Sequence, residues 1–377
     1  MITVIEGPET QFGTQTLQGV FTVKDLKETF NVDNYDRDKG RPGEDGGYQR
    51  DPEETRIIAL AKSIAKGLVV ATSIVVNNRD ASPKKLSFDS KGTTQIDLPK
   101  ALWAIDAQHR SRAWIELFDN PSEYGVSKTE IGNTKVNFTM YWGATLEEEV
   151  LVFYDVNHFG KGIKVENRLE LDVYLTKKKV LTHKDNELLV EMDNLVEAMN
   201  KGEIWQEKIR FANTKTGIVP KSALVQSLST IFNDSKSGLY FLDKQEKKEL
   251  VFTVWEAVAA TYPEIINDDE LPKDWALQKA IGVNIIHRLI PTIYALIQDK
   301  NRSLGPKSQK DALDSKVWVY YFKKIKDKYT DQNDYGKKVD GVDFWKTGKE
   351  GAAGQYSSGK GRNTLLEAFT RELLKDS

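Results

Sequence analysis

The chain has 377 residues, a length that favours two domains over one. Hydrophobic residues make up 39% of the chain, which suits a globular protein with a core. Because the formal net charge is -2, any contact with nucleic acid must come from a local basic surface rather than from overall charge. The chain has no cysteine and four histidines, which excludes disulfides, thiolate catalysis and Cys-ligated metals and makes a His-rich metal site unexpected.

The first predicted elements lie on either side of a polar loop. Residues 18–26 alternate as a strand that leads into a short helix, and residues 31–47 are polar and glycine-rich, which is typical of a loop. Asp51 and Pro52 predict the cap and first turn of a helix, which Gly67 ends. A short apolar strand over residues 73–76 follows.

A strand, a turn and a helix come next. A polar, hairpin-like stretch over 77–100 leads to the apolar strand 102–105, and residues 111–118 then read as a helix. Residues 135–142 alternate as a strand, and a helix is predicted from residue 145 to about 157. These elements predict one small α/β domain.

The rest of the chain is predicted to be mainly helical, with helices over 164–182, 187–200, 221–233, 244–260, 272–298, 309–328 and 363–375. The segment 272–298 is long and apolar, so we expect it at the centre of a second core. Residues 346–362 are rich in glycine and lysine and are predicted to form a flexible basic loop.

The strongest candidates for functional residues lie in the turn after the strand 102–105. Arg110 and Arg112 lie beside His109 in the first turn of the helix, where free backbone N–H groups and guanidinium groups favour phosphate binding. Asp106 at the strand end suits a divalent cation or a proton acceptor. Gln108 could orient a water or a base edge.

The preceding helix offers further candidates for the same pocket. Arg56 and Ser63 are seven residues apart and share a helical face. Gln49 and Arg50 precede that helix, and Arg50 would add another guanidinium. A solvent-facing helix surface explains Arg56 and Ser63 equally well.

Two segments resemble a known family. DPEETRIIALAKSIAKGLVVATSIVV, residues 51–76, is similar to the opening box of ParB-like proteins, and IDAQHRSRAW, residues 105–114, resembles the D-G-Q-H-R signature of the DGQHR-domain group that contains the DndB proteins. Tyr48-Gln49-Arg50 and the segment from Leu146 to Asn157 fit that group's order. The motifs cover about residues 48–160, under half of the chain.

The resemblance implies an α+β protein with a small mixed-sheet domain of the ParB/sulfiredoxin type over residues 1–162 and a mainly α-helical domain over 163–377. It implies that Gln108, His109 and Arg110 contact phosphate and that Asp106 holds a metal or acts as a base. Arg56 and Ser63 fall where sulfiredoxin-like proteins place helix side chains against ATP. The resemblance also implies a ligand role for Asn157. The sulfiredoxin cysteine has no counterpart, so that repair reaction is excluded.

The family's signature glycine is Ala107 in this chain. If the position needs a positive φ, its Cβ costs about 1 kcal/mol.

Three functions stay open at this stage. The first is a nucleotide-binding enzyme of DNA modification or phage–host conflict that uses a nucleoside triphosphate (NTP) with Mg²⁺ or Mn²⁺. The second is a DndB-like regulator that binds DNA without turnover. The third is a metal-dependent nuclease, or a kinase of a modified base or metabolite, with Asp106 and Glu53 or Glu54 on the metal.

We expect a cytoplasmic protein. The N-terminal sequence has no basic region followed by an apolar run, and no apolar stretch is expected to span a bilayer, so no membrane partner is predicted. The sequence leaves the oligomeric state open.

Overall fold

The computed structural model describes residues 1–39, 46–67, 73–82, 84–158, 165–182, 184–268, 272–302 and 312–375. The chain divides into two compact units, Met1–Leu181 and Thr182–Ser377. The domain boundary predicted from the sequence, after residue 162, lies before the helix Val165–Lys177, and the compact units divide after that helix.

A seven-stranded sheet forms the first unit. Its strands are β1 (Ile2–Glu6), β2 (Thr16–Thr22), β3 (Phe30–Asn31), β4 (Ile74–Asn78), β5 (Thr93–Ile96), β6 (Leu102–Asp106) and β7 (Lys135–Trp142). Their order is β3-β6-β4-β7-β2-β1-β5, with β3/β6 and β4/β7 parallel and the other pairs antiparallel. The expected α+β class with a mixed N-terminal sheet is confirmed, and the ParB/sulfiredoxin type stays a prediction.

The sequence did not predict β1 and β5, which pair with each other at one side of the sheet. Each buries a single residue, Val4 in β1 and Ile96 in β5. A strand with one buried side chain lacks the alternation that identifies strands in a sequence.

The α-helices in the described part of this unit are α1 (Val23–Thr29), α2 (Glu54–Ala65), α3 (Gln108–Asp119), α4 (Lys128–Asn133), α5 (Leu146–His158) and α6 (Val165–Lys177). The predicted Asp51 cap is wrong, because α2 begins at Glu54 with Glu53 as its N-cap residue. The predicted stop at Gly67 is confirmed: this residue has φ +73° and its N–H donates to the Ile64 carbonyl at 2.9 Å.

Strand β6 contributes side chains to two apolar clusters. Leu102 packs with Leu17, Phe21 and Phe138, and Ile105 packs with side chains of α5 and α6 such as Val150 and Leu171. Both Leu102 and Ile105 are fully buried. This packing fixes the end of β6, and therefore the turn that follows it, between the sheet and its helices.

The second unit is built on helices α7 (Lys184–Met199), α8 (Lys221–Phe232), α9 (Lys244–Thr261), α10 (Pro263–Ile266), α11 (Ala280–Arg302), α12 (Ser315–Lys328) and α13 (Gly359–Leu374), with short strands β8 (Ile209–Arg210), β9 (Val219–Pro220), β10 (Thr330–Gln332) and β11 (Lys338–Asp340). The expected central helix is confirmed in α11. Its buried apolar residues include Val283, Ile286, Leu289 and Ile293.

The segment Ala280–Asp299 of α11 is long and apolar enough to cross a membrane by length and composition, which corrects the expectation that no stretch would reach that length. Half of that stretch is buried inside the protein, as for a helix at the centre of a core.

The prediction of a flexible loop over residues 346–362 is wrong. Ala352 and Ala353 are fully buried, and Gly359 already begins α13. The Tyr356 hydroxyl donates to the Asp331 carboxylate at 2.5 Å. Packing of two alanines and this hydrogen bond order a segment whose composition alone indicates a loop.

Candidate functional site

The turn between β6 and α3 places the start of a helix at the end of a strand. Ala107 is the N-cap residue of α3, with φ 73° and ψ 24°, and its methyl side chain makes no cap hydrogen bond. The helix begins at Gln108 rather than at residue 111, so Gln108, His109 and Arg110 form its first turn. Because the first amides of a helix have no partner within it, this turn presents N–H donors and the positive end of the helix dipole.

Ala107 adopts the left-handed conformation that favours glycine. The position of the family's signature glycine therefore does require a positive φ in this protein. The alanine Cβ costs about 1 kcal/mol here, but it does not prevent the turn.

A cavity of about 620 Å³ lies at this turn. Its lining combines loop residues before α2, the first turn of α3, and side chains of α2, α5 and α6. The residues are Gln49, Arg50, Arg56, Leu60, Ile105, Asp106, Ala107, Gln108, His109, Arg110, Phe153, Asn157 and Asn167. Eight residues selected from the sequence thus come together: Gln49, Arg50, Arg56, Asp106, Gln108, His109, Arg110 and Asn157.

Three other selected residues do not line the cavity. Ser63 lies two helical turns beyond Arg56 on α2, past the last lining residue of that helix, Leu60. Arg112 is not among the lining residues, and its buried Nε has no hydrogen-bond partner among the described residues. Glu53 pairs with Arg50 at 3.1 Å.

Guanidinium groups dominate the charge of the lining. Arg110 lies 3.9 Å from the Asp106 carboxylate and donates to the Ser73 carbonyl at 3.4 Å. The side chains of Arg50, Arg110 and Asp106 are each about one-third exposed. Ion pairs at such exposure are weak, so a phosphate could displace them.

The surroundings of His109 favour its neutral form. Burial lowers its pKa, and the positive charges of Arg56 and Arg50 lower it further. Its Nε2 accepts a hydrogen bond from the Glu53 backbone N–H at 3.2 Å, which leaves the proton on Nδ1. In this arrangement His109 joins the start of α2 to α3, and its Nε2 lone pair is already occupied.

No group of three or more His, Asp or Glu side chains that could hold a metal is present in the described residues. Asp106 is the one carboxylate in the cavity lining as described. A divalent cation here would therefore need most of its ligands from a bound molecule or water.

A buried polar network next to the cavity was not predicted from the sequence. Glu149 on α5 is fully buried and accepts hydrogen bonds from the Tyr48 hydroxyl at 2.8 Å, Asn77 Nδ2 at 2.7 Å and Arg79 Nη2 at 2.6 Å. Arg79 also contacts the Asp33 carboxylate at 2.6 Å. The acidic run at residues 147–149 was the only sequence signal for this network, and such runs usually face solvent.

The network fixes the orientation of Gln49. The Tyr48 hydroxyl donates its proton to Glu149, and burial together with that carboxylate raises the pKa of Tyr48. The Tyr48 oxygen and the Ala104 carbonyl then both accept from Gln49 Nε2. Gln49 Oε1 is left buried without a partner among the described residues, and so is Gln108 Oε1.

Phe153 and Asn167 line the cavity but were missed by sequence reasoning. Each reads as an ordinary helix residue, Phe153 in an apolar stretch of α5 and Asn167 near the start of α6. Only the packing of α5 and α6 on the sheet brings them to the turn after β6.

A second pair of potentially catalytic groups lies in the second unit. Ser227 Oγ lies 2.7 Å from His287 Nδ1, and the Trp255 indole N–H donates to His287 Nε2 at 3.0 Å. Nδ1 must therefore carry the proton and donate to Ser227, whose own proton goes to the Leu224 carbonyl at 3.0 Å. The serine is not activated, and burial lowers the pKa of His287 to about 3. His183 and the side chain of His158 lie outside the described residues.

The family comparison agrees with the motifs. A family model described as "DndB: DNA-sulfur modification-associated" matches residues 8–273, about 70% of the chain, and that range includes every residue that lines the cavity. No curated protein and no solved structure gives a significant match.

Proposed function

This chain belongs to the DndB family of proteins associated with DNA-sulfur modification, and from that premise we propose that it binds an NTP in the cavity at the β6–α3 turn. The proposal includes hydrolysis of the NTP or transfer of a phosphoryl group from it. The supporting observation is that Arg50, Arg56 and Arg110 share one cavity with an uncapped helix start. A volume of about 620 Å³ is within the usual size of small-molecule sites.

The phosphates would lie at the first turn of α3. Backbone N–H groups at a helix start bind anions, and guanidinium groups match phosphate oxygens in pairs. Phosphoryl transfer needs mainly positioning and neutralisation of charge, which this set of donors supplies. The three arginines outnumber the single lining carboxylate, Asp106.

Asp106 would hold Mg²⁺ or Mn²⁺ together with phosphate oxygens, since Mg²⁺ is commonly bound by one or two carboxylates and the substrate phosphates. The bound ion would neutralise phosphate charge. Glu53 lies outside the lining and pairs with Arg50, so the proposal assigns the metal to Asp106 alone. Gln108 Oε1 is buried beside the turn without a partner among the described residues. Because the His109 Nε2 already accepts a hydrogen bond from the Glu53 N–H, the proposal gives His109 a positioning role and not that of a general base.

A thermal-shift panel of the four NTPs with and without Mg²⁺ tests the proposal. A ligand at 100 times its Kd stabilises the folded protein by about 2.7 kcal/mol, so the melting temperature should rise. Arg110→Ala should abolish the rise. Arg168→Ala should retain it, because Arg168 pairs with Asp172 at 3.8 Å and does not line the cavity. No shift and no phosphate release with any NTP, with or without DNA, would refute the proposal.

A DNA-binding regulator without turnover is the second candidate, and the family's association with DNA modification favours it. It predicts an affinity for duplex DNA that falls steeply with salt. Neutralising exposed lysines such as Lys323 should reduce the salt slope by about one per lost phosphate contact. Phosphate release that depends on Asp106 would decide for the enzyme.

A further inference from the structure

We propose that Asn167 reads the base of the bound nucleotide. This inference rests on the proposed nucleotide site and adds that the cavity wall formed by Phe153, Asn157 and Asn167 would recognise the base. Asn167 on α6 lines the cavity and is only 7% exposed. Its side-chain amide has no hydrogen-bond partner in the part of the chain that the structure describes.

Asn77, which is fully buried in the same unit, differs from Asn167. Asn77 donates from Nδ2 to the Ala144 carbonyl at 2.9 Å and to Glu149 at 2.7 Å, and its Oδ1 accepts from the Ala144 N–H at 3.1 Å. Buried amides are normally satisfied in this way. Asn167 keeps both its donor and its acceptor available at the cavity wall, where a ligand can reach them.

The neighbouring groups on this wall suit a base. Phe153 on α5 lines the same cavity, and an aromatic ring can stack on any base. Asn157 Nδ2 donates one hydrogen bond to the Phe153 carbonyl at 2.8 Å, so its Oδ1 acceptor and its second Nδ2–H have no partner among the described residues. The side chains from α5 and α6 are thus uncharged, whereas α2 and α3 supply Arg56 and Arg110.

An asparagine amide pairs with a base edge that carries a donor beside an acceptor, as adenine does at N6 and N7. A bidentate pair of this kind distinguishes bases by about 5- to 150-fold in affinity. An aspartate at the same position would only accept hydrogen bonds. Asn167→Asp should therefore shift the preference towards guanine, whose N1–H and N2–H₂ groups both donate.

Titration calorimetry of ATP, GTP, CTP and UTP with four proteins tests the inference: wild type, Asn167→Ala, Asn167→Asp and the control Asn137→Ala. Asn137 is exposed on β7 and lies outside the cavity lining. We expect wild type and control to prefer one base. Asn167→Ala should lose at least 5-fold in affinity for that base and most of the preference, and Asn167→Asp should shift the preference as above.

Arg110→Ala separates the two proposals. It should weaken all four nucleotides by a similar factor, because it contacts phosphate rather than base. If wild type binds the four nucleotides equally, or if both Asn167 variants keep the wild-type preference while Arg110→Ala loses binding, base reading by Asn167 is wrong and the nucleotide site stands. If wild type binds none of the four, both proposals fail.

Discussion

Glu149→Gln is the sharpest test of the buried network that supports the cavity. The substitution keeps the shape of the side chain but removes its charge, and it turns one acceptor oxygen into an N–H₂ donor. At full burial, that donor must face Tyr48, Asn77 or Arg79, all of which donate to Glu149.

The expected loss is about 3 kcal/mol. Removing one partner of a buried ion pair typically costs about 3–5 kcal/mol because the other charge is left unpaired. Here Arg79 keeps its contact with Asp33 at 2.6 Å and its position over the Trp103 ring at 4.1 Å, so the low end of that range applies. A loss of about 3 kcal/mol corresponds to a factor of roughly 100 in an equilibrium constant.

Native-state hydrogen exchange, read by mass spectrometry on β4 and β6, measures this loss in the unit that contains the network. Protection of these amides should fall by roughly 100-fold. The matched control is Glu147→Gln on the same helix, where Glu147 pairs with Lys178 at 2.8 Å and is one-third exposed. A partly exposed pair contributes less than about 1 kcal/mol. Equal protection in the two variants would show that the Glu149 network does not stabilise the sheet.

Three further outcomes are expected. Ala107→Gly should raise the free energy of unfolding by up to about 1 kcal/mol and Ala107→Val should lower it by more than that, as measured by urea denaturation, and the opposite order would contradict the positive φ. The pKa of His287 is lowered to about 3, below its unfolded value of about 6.5, so its stabilising contribution is complete above pH 6.5 and is lost as the pH falls towards 3. His287→Gln should flatten the pH dependence of stability between pH 6.5 and 5, and an unchanged slope would argue against a buried neutral imidazole. Arg56→Ala should weaken nucleotide binding by about 10-fold or more while Ser63→Ala leaves it unchanged, and titration calorimetry would contradict the cavity lining if the two variants behaved alike.

Prediction from the sequence succeeded best where a motif is local. The strand–turn–helix around Asp106 and the strand 135–142 were placed closely, since alternation and turn chemistry depend on neighbouring residues. Prediction failed where local rules gave the wrong boundary: they placed the cap of α2 at Asp51, whereas the helix begins at Glu54. It also failed for the segment 346–362, where tertiary packing orders a glycine-rich sequence.

The candidate site was recovered in part for the same reason. Gln108, His109 and Arg110 follow one another in the chain, so their grouping needs only the turn. Ser63 was selected by helical spacing, which gives a shared face but not where a cavity ends. Asn167 carried no signal, because its buried, unpartnered state exists only in the folded unit.

By itself, the sequence determined the local chemistry of this protein: a helix start with Arg110 in its first turn, a core-forming α11, and no thiol chemistry. Only the tertiary structure decided the strand order and the partners of the buried charges. Tyr48 and Glu149 are 101 residues apart, yet they share one hydrogen bond. Contacts of that separation depend on how whole elements pack, and no pattern of neighbouring residues specifies them.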